Sequence, residues 1–91
     1  MEKFSPEEIE THLKSLNGWI YNGQALEKYF TFRDFNETFG FMTRIALIAE
    51  QLNHHPDWRG GYNRLTVELS SHDAGGITER DIRLASRIDA L

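Results

Sequence analysis

The stretch DFNETFGFMTRIALIAEQLN, residues 34–53, is the longest helical pattern in the 91-residue chain. Its apolar side chains fall on two adjacent stripes when residues are placed at about 100° intervals. The first stripe consists of Phe35, Phe39, Met42, Ala46 and Ala49. The second consists of Phe41, Ile45, Ile48 and Leu52. A helix on one small sheet needs one such stripe, so the other predicts burial against a second subunit or against the terminal helices of the same chain.

A shorter helix is predicted near the start of the chain. Ser5 precedes Pro6 and Glu8, a combination typical of a capped helix N-terminus with a capping box. We expect this helix to run to about Leu16 and to bury three apolar side chains. They are Ile9, Leu13 and Leu16.

The segment WIYNGQALEKYFTF, residues 19–32, predicts a β-hairpin. Asn22 and Gly23 both tolerate positive φ and therefore favour a tight turn between two strands. One face of the second strand carries Leu26, Lys28, Phe30 and Phe32. The charge of Lys28 interrupts this apolar face and predicts a position near the sheet edge.

The last third of the chain predicts one more strand and a final helix. YNRLTVELSS, residues 62–71, alternates between apolar and polar side chains, as half-exposed strands do. Thr78 and Asp81 mark the helix start. Its apolar side comprises Ile82, Leu84, Ala85, Ile88 and Leu91. The predicted fold class is α+β, an antiparallel sheet of about four strands with helices packed on one face, within a single domain of residues 1–91.

Composition excludes several classes of function. The formal charge of -4 predicts no direct nucleic-acid ligand, because phosphate backbones require a basic surface. No apolar run approaches the roughly 20 residues of a membrane span, and the opening MEKFSPEEIE lacks the apolar core of a secretion signal. A cytoplasmic protein without membrane contact is expected. The chain has no cysteine, which excludes disulfides, thiolate metal sites and a cysteine nucleophile.

Two polar clusters carry the residues suited to chemistry. NHHPDW, residues 53–58, follows the long helix, and SSHDAGG, residues 70–76, follows the last predicted strand. One fold can bring together His54, His55 and His72 with Asp57, Asp73 and Asp81. Three imidazoles with acids suit either a divalent metal or proton transfer near neutral pH. Adjacent histidines point in different directions and lack a helical HxxxH or HExxH spacing, so we expect no metal.

The spacing of these residues resembles the signature of the pterin-4a-carbinolamine dehydratase family. The matching positions are Glu50, His54, His55, Pro56, Tyr62, His72 and Asp81. The similarity extends to Gly18-Trp19, to Phe30 and Phe32, to Trp58 and to SSHDAGGITERDIRLASRID, residues 70–89, and so covers nearly the whole chain.

The resemblance implies a hydro-lyase that removes water from a 4a-hydroxytetrahydropterin to give quinonoid dihydropterin, without metal or cofactor. It implies pterin contacts by Asn53, His54, His55, Ser70, Ser71, His72 and Asp73. His54 and His72 would then act as acids at the leaving hydroxyl from opposite sides of the ring, and His55 would mainly hold the pterin. This activity would support tetrahydropterin recycling.

Supporting roles are expected for four further residues. Glu50 opposes the helix dipole, which indicates a role in holding His54 or His55. Asp81 either accepts hydrogen bonds at the start of the last helix or orients a catalytic histidine. Pro56 shapes the loop, and Trp58, like Tyr62, either walls the pocket or fills the core.

The 34–53 helix is predicted to bind either a second copy of the chain or a different protein. We expect a homo-oligomer, a dimer or a tetramer. Some members of the family also act as dimerisation cofactors for a homeodomain transcription factor through the long helix, so the resemblance implies a protein-binding module as the alternative function. For both, the expected surface is the second stripe, which begins at Phe41.

Overall fold

The computed structural model describes residues 2–91, which form three helices and four strands. In chain order the elements are α1 (Pro6–Leu13), β1 (Ile20–Tyr21), β2 (Leu26–Thr31), α2 (Phe35–Leu52), β3 (Asp57–Gly60), β4 (Arg64–Leu69) and α3 (Glu79–Asp89), with a 3₁₀ turn at His72–Ala74. None of the helices within residues 2–91 is both long and apolar enough to cross a membrane.

The strands form one antiparallel sheet in the order β1-β2-β4-β3, and the predicted α+β class is confirmed. Strand β4 alternates as expected, with Leu65, Val67 and Leu69 buried. These side chains join the buried residues of all three helices in one hydrophobic core. Sequence patterning located three of the strands, whereas β3 begins at Asp57, inside the NHHPDW cluster.

Side-chain caps start all three helices. Ser5 and Glu8 form the predicted capping box of α1, and Thr78 and Asp81 form that of α3. The side chain of Asp34 accepts a hydrogen bond from the backbone N–H of Glu37 and caps α2. Each cap satisfies backbone donors that have no partner inside the helix.

The predicted end of α1 at Leu16 is wrong. The helix ends at Leu13, because the next three backbone N–H groups bond to carbonyls three residues back in tight turns. Gly18, at a φ of 80°, then redirects the chain into β1. Ile9 is buried, but Leu13 and Leu16 are only half-buried.

The strand pairing agrees with the predicted position of Lys28 near the sheet edge. Strand β4 pairs with β2 along its whole length, but the short β1 pairs only with Leu26 and Glu27, so Lys28 has a strand partner on one side only. Its Nζ lies 2.9 Å from Oδ1 of Asp89, and the two side chains are only 15% and 14% exposed. The same Oδ1 accepts a hydrogen bond from Nε1 of Trp19. A charge on the apolar face is tolerated here because α3 supplies a carboxylate for it.

The assignment of the second α2 stripe to a subunit surface is wrong. Ile45 and Ile48 are buried in the core of the same chain, and Phe41 and Leu52 are half-buried. Three side chains of the first stripe, Phe35, Phe39 and Ala46, face outward, as does Leu47, which belongs to neither stripe. Helical periodicity separates two stripes but contains no information about which one meets the sheet. At the other terminus Leu91, predicted to be buried, is exposed.

This orientation of α2 predicts unequal losses of stability for two isomeric side chains. Ile45→Ala should lower the free energy of unfolding by about 2–5 kcal/mol, because a fully buried side chain leaves a cavity. Leu47→Ala should lower it by less than about 0.5 kcal/mol, because Leu47 is 63% exposed. Urea unfolding of both variants measures the difference. Equal losses would contradict this orientation of the helix.

Candidate active site

The first half of the site is built by the end of α2. Asn53 caps the helix in the left-handed region at φ 52°, and its backbone N–H bonds to the carbonyl of Glu50. The N–H of His54 bonds back to the carbonyl of Ala49, which closes the turn. As a result His54 is buried, with 8% of its surface exposed, while His55 is exposed. The two adjacent imidazoles therefore occupy different environments.

The second half of the site is a tight turn after β4. Ser71 pairs with Gly76 in an isolated bridge, and the 3₁₀ turn between them carries His72. Gly75 ends that turn at a φ of 73°, a conformation that disfavours side chains other than glycine. The turn places the exposed imidazole of His72 at the surface beside the NHHPDW segment.

These two halves enclose one open depression of about 330 Å³. It is lined by Asn53, His54, His55, Ser70, Ser71, His72 and Asp73. The structure thus brings together all seven residues for which the sequence predicted pterin contacts. Two segments that are separated by 14 residues in sequence form this single concave surface.

Each of the three imidazoles has a carboxylate of its own. Nε2 of His54 lies 2.6 Å from Oδ1 of Asp81, and Nε2 of His55 lies 2.8 Å from Oε1 of Glu50. Nε2 of His72 lies 3.4 Å from Oδ2 of Asp57. An ionised carboxylate accepts hydrogen bonds only, so it favours a proton on Nε2 of His54 and of His55 and leaves Nδ1 of these two rings for a ligand. The contact of His72 with Asp57 is an ion-pair distance and not a hydrogen bond.

Asp81 is fully buried and accepts three hydrogen bonds. Besides His54 on Oδ1, its Oδ2 accepts from the hydroxyl of Ser71 and from the backbone N–H of Thr78, both at 2.9 Å. Because Ser71 donates to Asp81, the hydroxyl of Thr78 donates to Ser71 and accepts from the N–H of Arg80. Asp81 thus both caps α3 and holds His54, the two roles that the sequence presented as alternatives.

The pair of Glu50 and His55 is much more open than the pair of Asp81 and His54. Both of its side chains are exposed, so solvent screens their attraction and little stability is gained. Glu50 contacts His55 and not His54, which resolves the choice left open by the sequence. Glu50 therefore orients His55 at the exposed rim of the depression, whereas Asp81 orients His54 at its buried wall.

Two of the depression's polar side chains are bound within the protein. Nη2 of Arg80 donates a 2.6 Å hydrogen bond to Oδ1 of Asp73, and this bond lowers the pKa of the Asp73 carboxyl and raises that of Arg80. Ser71 is 1% exposed and its hydroxyl bonds to Asp81 and Thr78. The resemblance implied a substrate contact for Ser71, and the sequence indicated only a helix start for Thr78. A motif does not show that both hydroxyls are buried beside Asp81.

Three further residues of the resemblance, Pro56, Trp58 and Tyr62, do not line the depression. Pro56 is half-buried and leads directly into β3. Trp58 is half-buried and packs against the core beside Val67, so it fills the core and does not wall the site. Tyr62 is 63% exposed and fills neither place, although its backbone carbonyl accepts a hydrogen bond from the hydroxyl of Thr38. Across residues 2–91, no three His, Asp or Glu side chains converge in a metal-binding cluster.

Comparison with known proteins places this chain in one family. The family model for pterin 4 alpha carbinolamine dehydratase matches residues 2–91. A protein of Nitrobacter winogradskyi named "Putative pterin-4-alpha-carbinolamine dehydratase" is 53% identical over 100% of this chain and 92% of its own length. A protein of Burkholderia pseudomallei with the same name is 50% identical over the same shares of both chains. The chain belongs to the pterin 4 alpha carbinolamine dehydratase family.

Solved structures agree with this assignment. The crystal structure of a transcriptional coactivator/pterin dehydratase from Brucella melitensis superposes with a TM-score of 0.92 at 41% identity, over 98% of this chain and 97% of that one. A pterin dehydratase-like protein described as a RuBisCO assembly factor in the alpha-carboxysome superposes with a TM-score of 0.69 at 25% identity, over 81% and 88% of the two chains.

The buried carboxylate predicts a large effect of Asp81→Ala on stability. The substitution leaves His54, Ser71 and the N–H of Thr78 without their acceptor and should cost about 3 kcal/mol or more in urea unfolding. Asp73→Ala, which removes the exposed partner of Arg80, should cost far less. In Asp81→Asn, if it folds, ¹⁵N shifts of His54 should show a changed tautomer balance. Similar stabilities of the two alanine variants would contradict the buried network.

Proposed function

We propose that this chain is a hydro-lyase that converts 4a-hydroxytetrahydropterin into quinonoid dihydropterin by histidine acid/base catalysis, as a cytoplasmic step of tetrahydropterin recycling. The observation that carries the proposal is the set of three carboxylate-paired imidazoles around one depression. Membership of the family supports the pterin as substrate.

The reaction needs two proton transfers at neighbouring atoms. The C4a–O bond breaks as the hydroxyl accepts a proton and leaves as water, and the N5–H proton is removed as the C4a–N5 double bond forms. One proton is donated and one is accepted, so the enzyme returns to its initial protonation state. Imidazoles perform both transfers near neutral pH, and the reaction as written requires no cofactor.

The geometry supports different tasks for the three histidines. Nε2 of His54 is bonded to buried Asp81, so Nδ1 is the nitrogen left to exchange a proton with the substrate. His72 stands on the other segment of the depression with its own carboxylate, Asp57. We assign these two as acids on opposite sides of the ring. The imidazole that has donated its proton to the leaving hydroxyl then accepts the N5–H proton, which restores its initial protonation state. His55, at the exposed rim with Glu50, holds the pterin.

Alanine variants separate these tasks in an assay coupled to an aromatic amino acid hydroxylase with chelator present, after subtraction of spontaneous dehydration. The wild type should accelerate the dehydration. His54→Ala and His72→Ala should each lower kcat, because proton donation acts in the transition state. A general acid contributes about 10²- to 10⁴-fold, and each single variant should lose no more than this because the other histidine remains. The double variant should approach the uncatalysed rate. His55→Ala should mainly raise KM.

The matched control for this series is His12→Ala, because His12 stacks on Phe4 away from the depression. It should retain wild-type kcat and KM. Near wild-type kcat in the double variant would overturn the assignment of the two acids. Loss of kcat with unchanged KM in His55→Ala would make His55 the proton donor. Activity that requires added zinc would overturn catalysis by histidine alone.

The proposal includes self-association through α2, a dimer or a tetramer. Phe35 and Phe39 stack with their ring centroids 5.9 Å apart and are 52% and 56% exposed. Ala46 lies on the same side of the helix. Two exposed aromatic rings in contact form an apolar patch that a second copy of the chain would cover.

Replacing both rings with charges tests this surface. Phe35→Glu with Phe39→Glu should reduce the particle size in sedimentation at micromolar concentration, because association would bury two carboxylates without partners. Unfolding of the variant should remain cooperative, since neither ring belongs to the core. Ser86→Glu with Ala90→Glu, at an exposed position of α3 and at its C-cap, supplies the control. A wild-type monomer would contradict the proposal.

A second candidate function uses the same patch. The apolar surface at Phe35 and Phe39 suits a different protein as well as a second copy, and the similar Brucella melitensis protein is described as a transcriptional coactivator/pterin dehydratase. A folded chain that accelerates no pterin carbinolamine would favour this protein-binding module over the enzyme.

A further inference from the structure

The turn that carries His72 is held at its two ends by different parts of the chain. At the first end, the hydroxyl of Ser71 donates to the buried carboxylate of Asp81. At the second end, Gly76 closes the turn through two backbone bonds with Ser71, at 2.8 and 3.3 Å. Gly76 has no side chain that could add a bond like that of Ser71, so its position depends on what packs against its backbone.

The imidazole of His72 does little to fix its own position. Its side chain is 82% exposed, and it meets Asp57, which is 70% exposed, at an ion-pair distance of 3.4 Å. Water competes with such a contact, which therefore restrains the side chain only weakly. The position of this imidazole is set by the backbone of the turn, and so by whatever holds both ends of the turn.

A short segment before α1 packs against the second end of the turn. We call this segment, residues 2–4, the N-terminal arm. The backbone N–H of Phe4 donates a 2.7 Å hydrogen bond to the carbonyl of Ile77. Lys3 lies directly over Gly76, where a Cβ atom would be 3.0 Å from Cδ and 3.3 Å from Cβ of the lysine. The missing side chain at Gly76 therefore allows the arm to pack on the backbone of the turn.

The arm is itself fixed to the body of the protein. The ring of Phe4 is half-buried and packs against the hydrophobic core. The next residue, Ser5, accepts a hydrogen bond from the N–H of Glu8 in the capping box of α1. Helix α1 is in turn anchored by Ile9, which is 1% exposed. A continuous path of contacts thus runs from the core through Phe4 to the second end of the turn.

The geometry points to Phe4 as a positioning residue that acts through the N-terminal arm to hold His72 opposite His54. The inference rests on the proposed function, in which His72 is one of two acids. His54 does not depend on the arm, because Asp81 and the end of α2 hold it. Loosening the arm should therefore displace one imidazole and leave the other in place. A displaced acid lowers kcat more than it raises KM, because proton donation acts in the transition state.

Phe4→Ala tests this role in the assay coupled to an aromatic amino acid hydroxylase. The substitution removes the ring that anchors the arm and keeps the backbone N–H. We expect kcat to fall by about 3- to 30-fold and KM to change by less than about 2-fold, since a 1 Å misplacement can cost about 10²-fold in rate. Phe4→Leu, which keeps an apolar side chain against the core, should retain most of the wild-type kcat.

Two control variants leave the arm in place. Leu16→Ala truncates another half-buried side chain that packs against the core, at a distance in sequence from the arm. It should lower the free energy of unfolding and leave kcat unchanged. His12→Ala removes a stacking partner of Phe4 but leaves the ring packed against the core, and it should also keep the wild-type kcat.

A double-mutant cycle with His72 separates positioning from general damage. In a His72→Ala background the remaining catalysis uses His54, so Phe4→Ala should lower kcat by less than about 2-fold further. In ¹H–¹⁵N spectra of Phe4→Ala, the amide signals of His72 and Gly76 should shift, and that of His54 should not.

Gly76→Ala disturbs the same contact from the side of the turn and leaves the core untouched. Gly76 is not among the residues with positive φ, so alanine is compatible with its backbone, but the added Cβ would displace Lys3. This variant should also lose kcat only when His72 is present, and it keeps the test decisive if Phe4→Ala does not fold.

The outcomes distinguish this inference from the proposed function. Equal losses of kcat from Phe4→Ala or Gly76→Ala with and without His72 would overturn the inference and leave the proposed function standing. Wild-type kcat in both variants would do the same. Wild-type kcat in His72→Ala itself would overturn the assignment of His72 as an acid, and this inference with it.

Discussion

The buried carboxylate of Asp81 is the interaction on which the site depends. One side chain at the start of α3 joins three segments: the N-terminus of its own helix, the end of β4 through Ser71, and the end of α2 through His54. All of its partners are protein groups, and no side-chain polar atom buried within residues 2–91 lacks a hydrogen bond. A displacement of α3 would therefore cost stability and misalign an imidazole at the same time.

The three carboxylate–imidazole pairs differ chiefly in burial. Asp81 holds His54 away from solvent, where the local dielectric is low and orientation is strongly enforced. The pairs of Glu50 with His55 and of Asp57 with His72 are exposed, and water competes with both contacts. One imidazole is thus rigid before a ligand arrives, and two can adjust to it. This arrangement is compatible with the proposed reaction, in which imidazoles on both sides of the ligand exchange protons with it.

Local chemistry in the sequence predicted most of the fold. Three features depend only on neighbours in sequence and could therefore be predicted: the capping residues, the Asn22–Gly23 turn and the alternation of β4. The side of α2 that meets the sheet was predicted wrongly, and the contact of Lys28 with Asp89 was not predicted, because both depend on packing between distant segments. The prediction that these seven residues share one depression came from the resemblance to a known family. Periodicity alone offered no reason to bring residues 53–55 and 70–73 together.

The burial of Asp81 is difficult to explain by stability alone. Removing an ionised group from water costs several kcal/mol, and apolar replacements of buried polar pairs are often neutral or stabilising in other proteins. An apolar residue at position 81 would pack against the same helices, yet it would neither cap α3 nor favour one tautomer of His54. The desolvation cost is consistent with a need for an oriented imidazole at the wall of the depression. Its position is set by α3, and so the helix farthest along the chain controls the geometry of a histidine that follows α2.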